Sequence, residues 1–292
     1  MRARRLMAVL ALAAGLVLCG AAATVWADDV DGDGIDNEID VRDNAPAGAV
    51  VDAEGDAPEL HQKLVLDLSS GVTMVLVLIP AGEFMMGSEG GRSDEKPVHH
   101  VRISKPFYVG KYEVTQAQWK AVMGSNPSRS TGDGLPVEGV SWNDCREYCR
   151  KVEERTGVAV RLPTEAEWEY ACRAGSTGVF CFGDSTGRLG DYAWHEGNSG
   201  RRPHPVGKQN PNALGLYDMH GNVWEWCEDW RGDYASGTQV NPTGPVTGWV
   251  RVLRGGSWNS KADSCRSASR YGLGPGDCGS DGIGFRIAVG TQ

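Results

Sequence analysis

Asp29, Asp31, Asp33, Asn37 and Asp40 place oxygen side chains at positions 1, 3, 5, 9 and 12 of a short acidic stretch, with Gly34 at position 6 and the carbonyl of Ile35 at position 7. Alternate side chains can then converge on one hard cation while the glycine allows the sharp turn, so the stretch is expected to bind calcium. Position 12 is Asp rather than Glu, which shortens the closing carboxylate. The plainer alternative is a flexible acidic linker, since a single repeat buries little.

Sulfur and imidazole offer less. Seven cysteines lie beyond residue 27 (Cys145, Cys149, Cys172, Cys181, Cys227, Cys265 and Cys278), an odd number that leaves at least one thiol unpaired within the chain. Cys145 and Cys149 share a helix face, where a buried seam of small residues is the commoner outcome than a metal pair. His99 and His100 adjoin on an expected strand and so face opposite ways, and His195, His204 and His220 lack ligand spacing. No phosphate loop, nucleophile elbow or paired-carboxylate motif is present in the sequence.

The elements that must position these groups are legible in part. Arg2, Arg4 and Arg5, an apolar run from Met7 to Leu18 and small residues up to Ala27 read as an export signal over residues 1–27. Its removal takes the formal charge from −9 to −12, a balance that disfavours nucleic acid and anionic membrane as partners, and no second apolar span follows. Eleven carboxylates and one arginine then occupy residues 28–56. Beyond Val72 the chain alternates short β-branched runs with turns: Val72 to Ile79, Val98 to Ile103 and Phe107 to Val114 are expected strands. Thr115 with Gln118, Ser141 with Asp144, and Thr164 with Glu167 are capping-box pairs, and Gly124, Gly157 and Gly175 sit near the matching helix ends. Together these predict a loop-rich α+β domain over 72–290 with short strands and about three short helices.

The blocks Ile79 to Ser88, Tyr112 to Thr115, Arg161 to Ala171, Gly215 to Trp226, Arg254 to Trp258 and Gly284 to Arg286 occur in an order that resembles the formylglycine-generating-enzyme, or sulfatase-modifying-factor, family. The resemblance implies that family's variant of the C-type-lectin fold. It also implies a bound calcium held by the side chains of Asp218 and Glu225 with the carbonyls of Gly221 and Val223. The acidic stretch similarly resembles a thrombospondin type 3 or dockerin-like calcium repeat, over residues 28–58.

Enzymes of this family oxidise a cysteine of a sulfatase with oxygen on a copper(I) ion gripped by two thiolates. The resemblance places those ligands at Ser260 and Cys265, so one of the two is a hydroxyl, a hard and weak ligand for a soft ion. Cys265, Ser257 and Trp224 match positions near the family's copper and oxygen pocket, which makes them the candidate catalytic residues while leaving copper doubtful. Spacing does not give the disulfide connectivity, but if the fold brings Cys278 to Cys265, a disulfide between them is the plainer outcome in an exported chain.

Two functions from different classes fit these residues. One is an exported oxidoreductase or maturation factor of this family. The other is a non-catalytic module that presents the segment from Asn259 to Gly282 to a protein, peptide or cell-surface ligand. Asn259, Ser260, Ser269, Tyr271, Leu273, Asp277, Ser280 and Asp281 are then the display residues, being of the small, polar or aromatic kinds that recognition loops favour. That arrangement is similar to the variable proteins of diversity-generating retroelements, some of which end in Gly-Phe-Arg.

Overall fold

The computed structural model describes residues 49–52, 63–69, 71–278 and 281–291. The chain divides after Asp40 into two units, and the strands and helices below belong to the second, from Val41 onward. The export signal and the calcium stretch of Asp29, Asp31, Asp33, Ile35, Asn37 and Asp40 lie outside the described residues, as does Ser280.

Strands are numbered in chain order. The main sheet runs Ala49–Asp52 (β1), Lys63–Ser69 (β2), Val72–Ile79 (β3), Phe107–Gly110 (β6), Ala288–Gly290 (β15) and Val160–Arg161 (β7), every neighbour antiparallel. Alternation explains β2, where Leu64, Leu66 and Leu68 point inward between more exposed neighbours. A second sheet joins Tyr271–Leu273 (β13), Arg251–Arg254 (β12), Trp224–Trp230 (β10) and Ile283–Gly284 (β14), the last pair parallel. Smaller sheets pair Gln239–Val240 (β11), His99–Ile103 (β5) and Gly82–Met86 (β4), and Ala193–Trp194 (β8) with His220–Gly221 (β9).

Three α-helices pack on this frame: Gln116–Met123 (α1), Trp142–Thr156 (α2) and Glu165–Arg173 (α3). Each begins with a complete capping box on Thr115, Ser141 or Thr164, as the spacing predicts. Gly124 and Gly157 close the first two in the left-handed region, and Ala174 takes that role after α3, with Gly175 next. Between α1, α2 and the main sheet, Trp119 stacks on Tyr148 at 5.4 Å and Phe285 meets both rings edge-on. Among the described residues no helix is long and apolar enough to cross a membrane.

Buried ion pairs join segments far apart in sequence. Glu169 is bonded by Arg173 and Arg254, Glu165 by Arg270 at 2.6 and 2.7 Å, and Glu95 by Arg266 at 2.7 Å through both oxygens. All three glutamates are almost fully buried. In a fold this rich in loops, such bidentate pairs fix backbone that no ladder holds.

Three expectations need correction. The strand expected over Phe107 to Val114 stops at Gly110, because the chain turns inward there to bury Glu113 and Val114. The six-stranded sheet also begins before Val72, with β1 and β2. The Cys265–Cys278 disulfide is absent: all seven cysteines are free, Cys265 is buried and Cys278 exposed. Cys145 and Cys149 lie in the apolar core, where burial pushes both thiols up, Cys149 to about 12.

Candidate functional site

The segment after β12 carries the positions matched to the family's copper ligands. Arg254 leads into Gly255 and Gly256, both left-handed, and the turn brings Ser257 back against Ser260. The amide of Ser257 donates to Ser260 Oγ at 3.0 Å. Its hydroxyl donates to Asn259 Oδ1 at 2.7 Å and lies 3.0 Å from Ser260 Oγ. Cys265 reaches the same turn from the far side: a Cβ on Gly256 would stand 2.7 Å from its Sγ and 3.0 Å from the Ser264 carbonyl. Gly256→Ala is therefore expected to destabilise the domain by about 1–3 kcal/mol, through overpacking and a strained φ of 80°. A thermal melt indistinguishable from wild type would refute that.

Cys265 is fully buried, and burial pushes its thiol up to about 12 despite a hydrogen bond from the Ser257 backbone. Its carbonyl accepts His220 Nδ1 at 2.7 Å, and His220 Nε2 accepts the Cys181 amide at 3.2 Å, so this histidine is spent on structure. The donor set does not fit copper(I): where a second thiolate would be needed stands the Ser260 hydroxyl, a hard ligand already held by the amide and the hydroxyl of Ser257. Trp224 is half-buried, its ring 5.6 Å from that of Tyr271.

Above this turn lies a cleft of about 680 Å³ whose lining includes Arg129, Glu196, Arg201, Trp258, Asn259 and Asp281. Trp258 Nε1 donates to the Asp281 carbonyl, and Arg129 pairs with the Asp281 carboxylate. Of the expected display residues, Asn259 and Asp281 meet in this cleft, with Ser260 beneath Asn259. Tyr271 is exposed on β13, Asp277 is exposed, and Leu273 packs partly against the core. Ser269 is a correction, being 2% exposed with its carbonyl taken by Arg254. Nothing in the sequence marks Arg129 and Arg201, because only the fold carries them to Asn259.

The second site surrounds the turn from β9 to β10. Glu225 is fully buried; its Oε2 accepts Trp168 Nε1 at 2.7 Å and Arg286 Nε at 2.6 Å, and its Oε1 accepts Arg286 Nη2 at 2.7 Å. Glu113, absent from the expected ligand set, accepts Asn222 Nδ2 at 2.6 Å and the Val223 amide at 3.0 Å. Asp218 accepts the Gly207 amide at 2.7 Å through Oδ2, and its buried Oδ1 has no partner.

Three buried carboxylates thus face one buried guanidinium. Burial first, then the charges of Asp218 and Glu225, push Glu113 well above the usual range, and burial pushes Asp218 up to about 6. The orphaned oxygen and the excess negative charge fit a hard cation. Among the described residues no three His, Cys, Asp or Glu side chains gather round one ion position. The family resemblance would set such a cation on Asp218 and Glu225 with the carbonyls of Gly221 and Val223; of these groups Asp218 Oδ1 is the unpartnered oxygen, whereas both Glu225 oxygens are held by Arg286 and Trp168.

Fold and site together define a C-type-lectin-like domain of the formylglycine-generating-enzyme type. The chain belongs to the sulfatase-modifying factor enzyme 1-like domain family, which matches residues 69–291. It is 35% identical over 288 residues to the formylglycine-generating enzyme of Streptomyces coelicolor, covering 73% of this chain and 88% of that one. It is 33% identical over 269 residues to chaperone protein LppX of Paenibacillus barcinonensis, covering 74% and 89%. Among solved structures it resembles Treponema denticola variable protein 1, with a TM-score of 0.72 at 33% identity over 77% of this chain and 98% of that one. PvdO from Pseudomonas aeruginosa gives 0.66 at 30% identity over 77% and 97%.

Proposed function

We propose that this domain is a non-catalytic ligand-binding member of its family, exported, with calcium as a structural ion. Its recognition surface is the cleft over Ser257 to Ser260. The observation that carries the reading is the closed hydroxyl network at Ser260, which leaves the buried Cys265 without a second thiolate at the matched position. The occupant is a protein, peptide or cell-surface ligand. A cleft with Arg129 and Arg201 beside Glu196 and Asp281 offers charges of both signs to main-chain and side-chain groups. The likeness to Treponema denticola variable protein 1 supports display, and a template copy of the codons for 254–286 beside a reverse-transcriptase gene would extend it.

The competing reading, a divergent oxidoreductase or maturation factor, draws on the likeness to the Streptomyces coelicolor enzyme. One experiment separates the two. The purified chain, loaded with copper(I) and offered a Cys-x-Pro-x-Arg peptide, is expected to retain no stoichiometric copper and form no aldehyde. Ser260→Cys, which supplies the second thiolate, is expected to raise copper(I) uptake toward one equivalent. Aldehyde formation by the wild-type chain would overturn the non-catalytic reading.

A further inference from the structure

A separate pocket of about 360 Å³ opens beside the N-terminal end of α3, between the end of β10 and the loop around Pro242 to Pro245. Met86, Trp230, Tyr234, Pro242 and Pro245 are among its walls, and Asp229, only 3% exposed, is part of its lining. Asp229 Oδ2 accepts the Glu165 amide at 2.9 Å. Oδ1 has no hydrogen-bond partner among the described residues. Gly244 borders it in the left-handed region, where a Cβ would lie 3.2 Å from Oδ1 and narrow the approach.

Three guanidiniums stand near this carboxylate without pairing with it: Arg270 lines the pocket, and Arg161 and Arg251 lie within electrostatic reach, Arg251 donating to the Glu228 carbonyl. Glu165 and Glu167 on α3 are neutralised by Arg270 and Arg161, and Glu228 on β10 by Arg146. Asp233 on the following loop adds negative charge. On the facing side, His99 Nδ1 lies 3.0 Å from the Pro97 carbonyl, and the Tyr234 hydroxyl donates to Glu165 at 3.2 Å. Among the described residues no cation forms a salt bridge with Asp229.

We infer that this pocket binds a primary ammonium on a slim aliphatic stem, received by Asp229 and flanked by the apolar walls. A point-charge donor suits it better than a guanidinium, because a fork needs two free oxygens and only Oδ1 is free. The stem would lie along Trp230, Tyr234 and the prolines. Lysine side chains of a peptide and free alkylamines share this chemistry.

Burial, then the neighbouring Glu165, Glu167 and Glu228, push Asp229 up to about 8. At neutral pH the empty pocket therefore holds a proton on Asp229. An arriving ammonium displaces that proton to the buffer. The folded pKa lies above that of an unfolded aspartate, ~3.9. The resulting stability is complete below that value and lost as pH rises through about 8.

Calorimetry on the full chain at pH 7.5, in phosphate and in HEPES, neither of which carries a primary amine, tests the inference with n-butylamine, Nα-acetyl-lysine N-methylamide and n-butanol. Both amines are expected to bind with release of roughly three-quarters of a proton, the share that a group titrating at about 8 holds at this pH, read from the difference between buffers, and butanol at least tenfold more weakly. Asp229→Asn keeps an acceptor for the Glu165 amide. It should weaken amine binding at least tenfold, abolish proton release and flatten the fall in stability between pH 4 and pH 8. Tighter binding of the lysine probe marks a peptide ligand and tighter binding of butylamine a free amine, and either supports the site. Equal binding of butanol, unchanged amine binding by a folded Asp229→Asn, or no heat up to ~50 mM amine, where a millimolar contact would register, overturns it.

Discussion

Arg286→Met, assayed by urea unfolding in the presence of a calcium chelator, is expected to lose about 3–5 kcal/mol of stability, the usual cost of stranding one member of a buried ion pair. Arg286 is fully buried. It donates twice to Glu225, and it also donates to the carbonyls of Gly110 and Tyr217, at 2.9 Å each. Methionine fills much of the volume but leaves a carboxylate with no cation in a cluster already rich in negative charge. The double variant Arg286→Met with Glu225→Gln should recover a good part of the loss, because the stranded charge goes with it. A single-variant loss below about 1 kcal/mol, no more than a median surface pair contributes, would show that Glu225 is compensated from elsewhere.

Calcium withdrawal should produce the second large effect. An ion held at about a hundred times its Kd contributes ~2.7 kcal/mol. In a domain of this size, that corresponds to a fall of roughly 5–10 °C in Tm on adding chelator. Asp218→Asn removes the carboxylate with the free oxygen and should leave the melt nearly indifferent to calcium. Asp31→Ala, in the acidic stretch, should leave the main-domain response intact while lowering the calcium stoichiometry by one. Identical melts with calcium and with chelator would refute a structural ion at Asp218 and Glu225.

Local rules made the helices readable. Each capping box satisfies its own amides within four residues, so Thr115, Ser141 and Thr164 marked three helix starts without any knowledge of the fold. Strand β3 was equally plain from its β-branched run, and the family blocks supplied the architecture. Other features depend on partners far away in sequence. Arg286 meets Glu225 across 61 residues and Arg270 meets Glu165 across 105, and nothing near either arginine announces its mate. Ser269 read as a surface residue by its type, yet it is buried and its carbonyl is taken by Arg254. Glu113 lay within a recognised block but gained its meaning only when the chain turned inward after Gly110 and set it beside Asp218. At the copper-equivalent position, the substitution at Ser260 was visible at once. That its hydroxyl is tied to Ser257 could come only from the folded turn.

Strand β15 sits inside the main sheet, bonded to β6 on one side and β7 on the other, although it comprises Ala288–Gly290. Synthesis must therefore pass residue 290 before the sheet can close, however early β2 and β3 form their hairpin. At about 5–20 residues per second, the ribosome leaves β6 without this neighbour for on the order of ten to forty seconds. Through that interval the nascent chain carries an open edge of Phe107, Tyr108 and Val109, an invitation to pair with other chains. Vectorial synthesis thus gives this domain a built-in waiting period, and a holdase acting on the unfinished chain would find its target at β6.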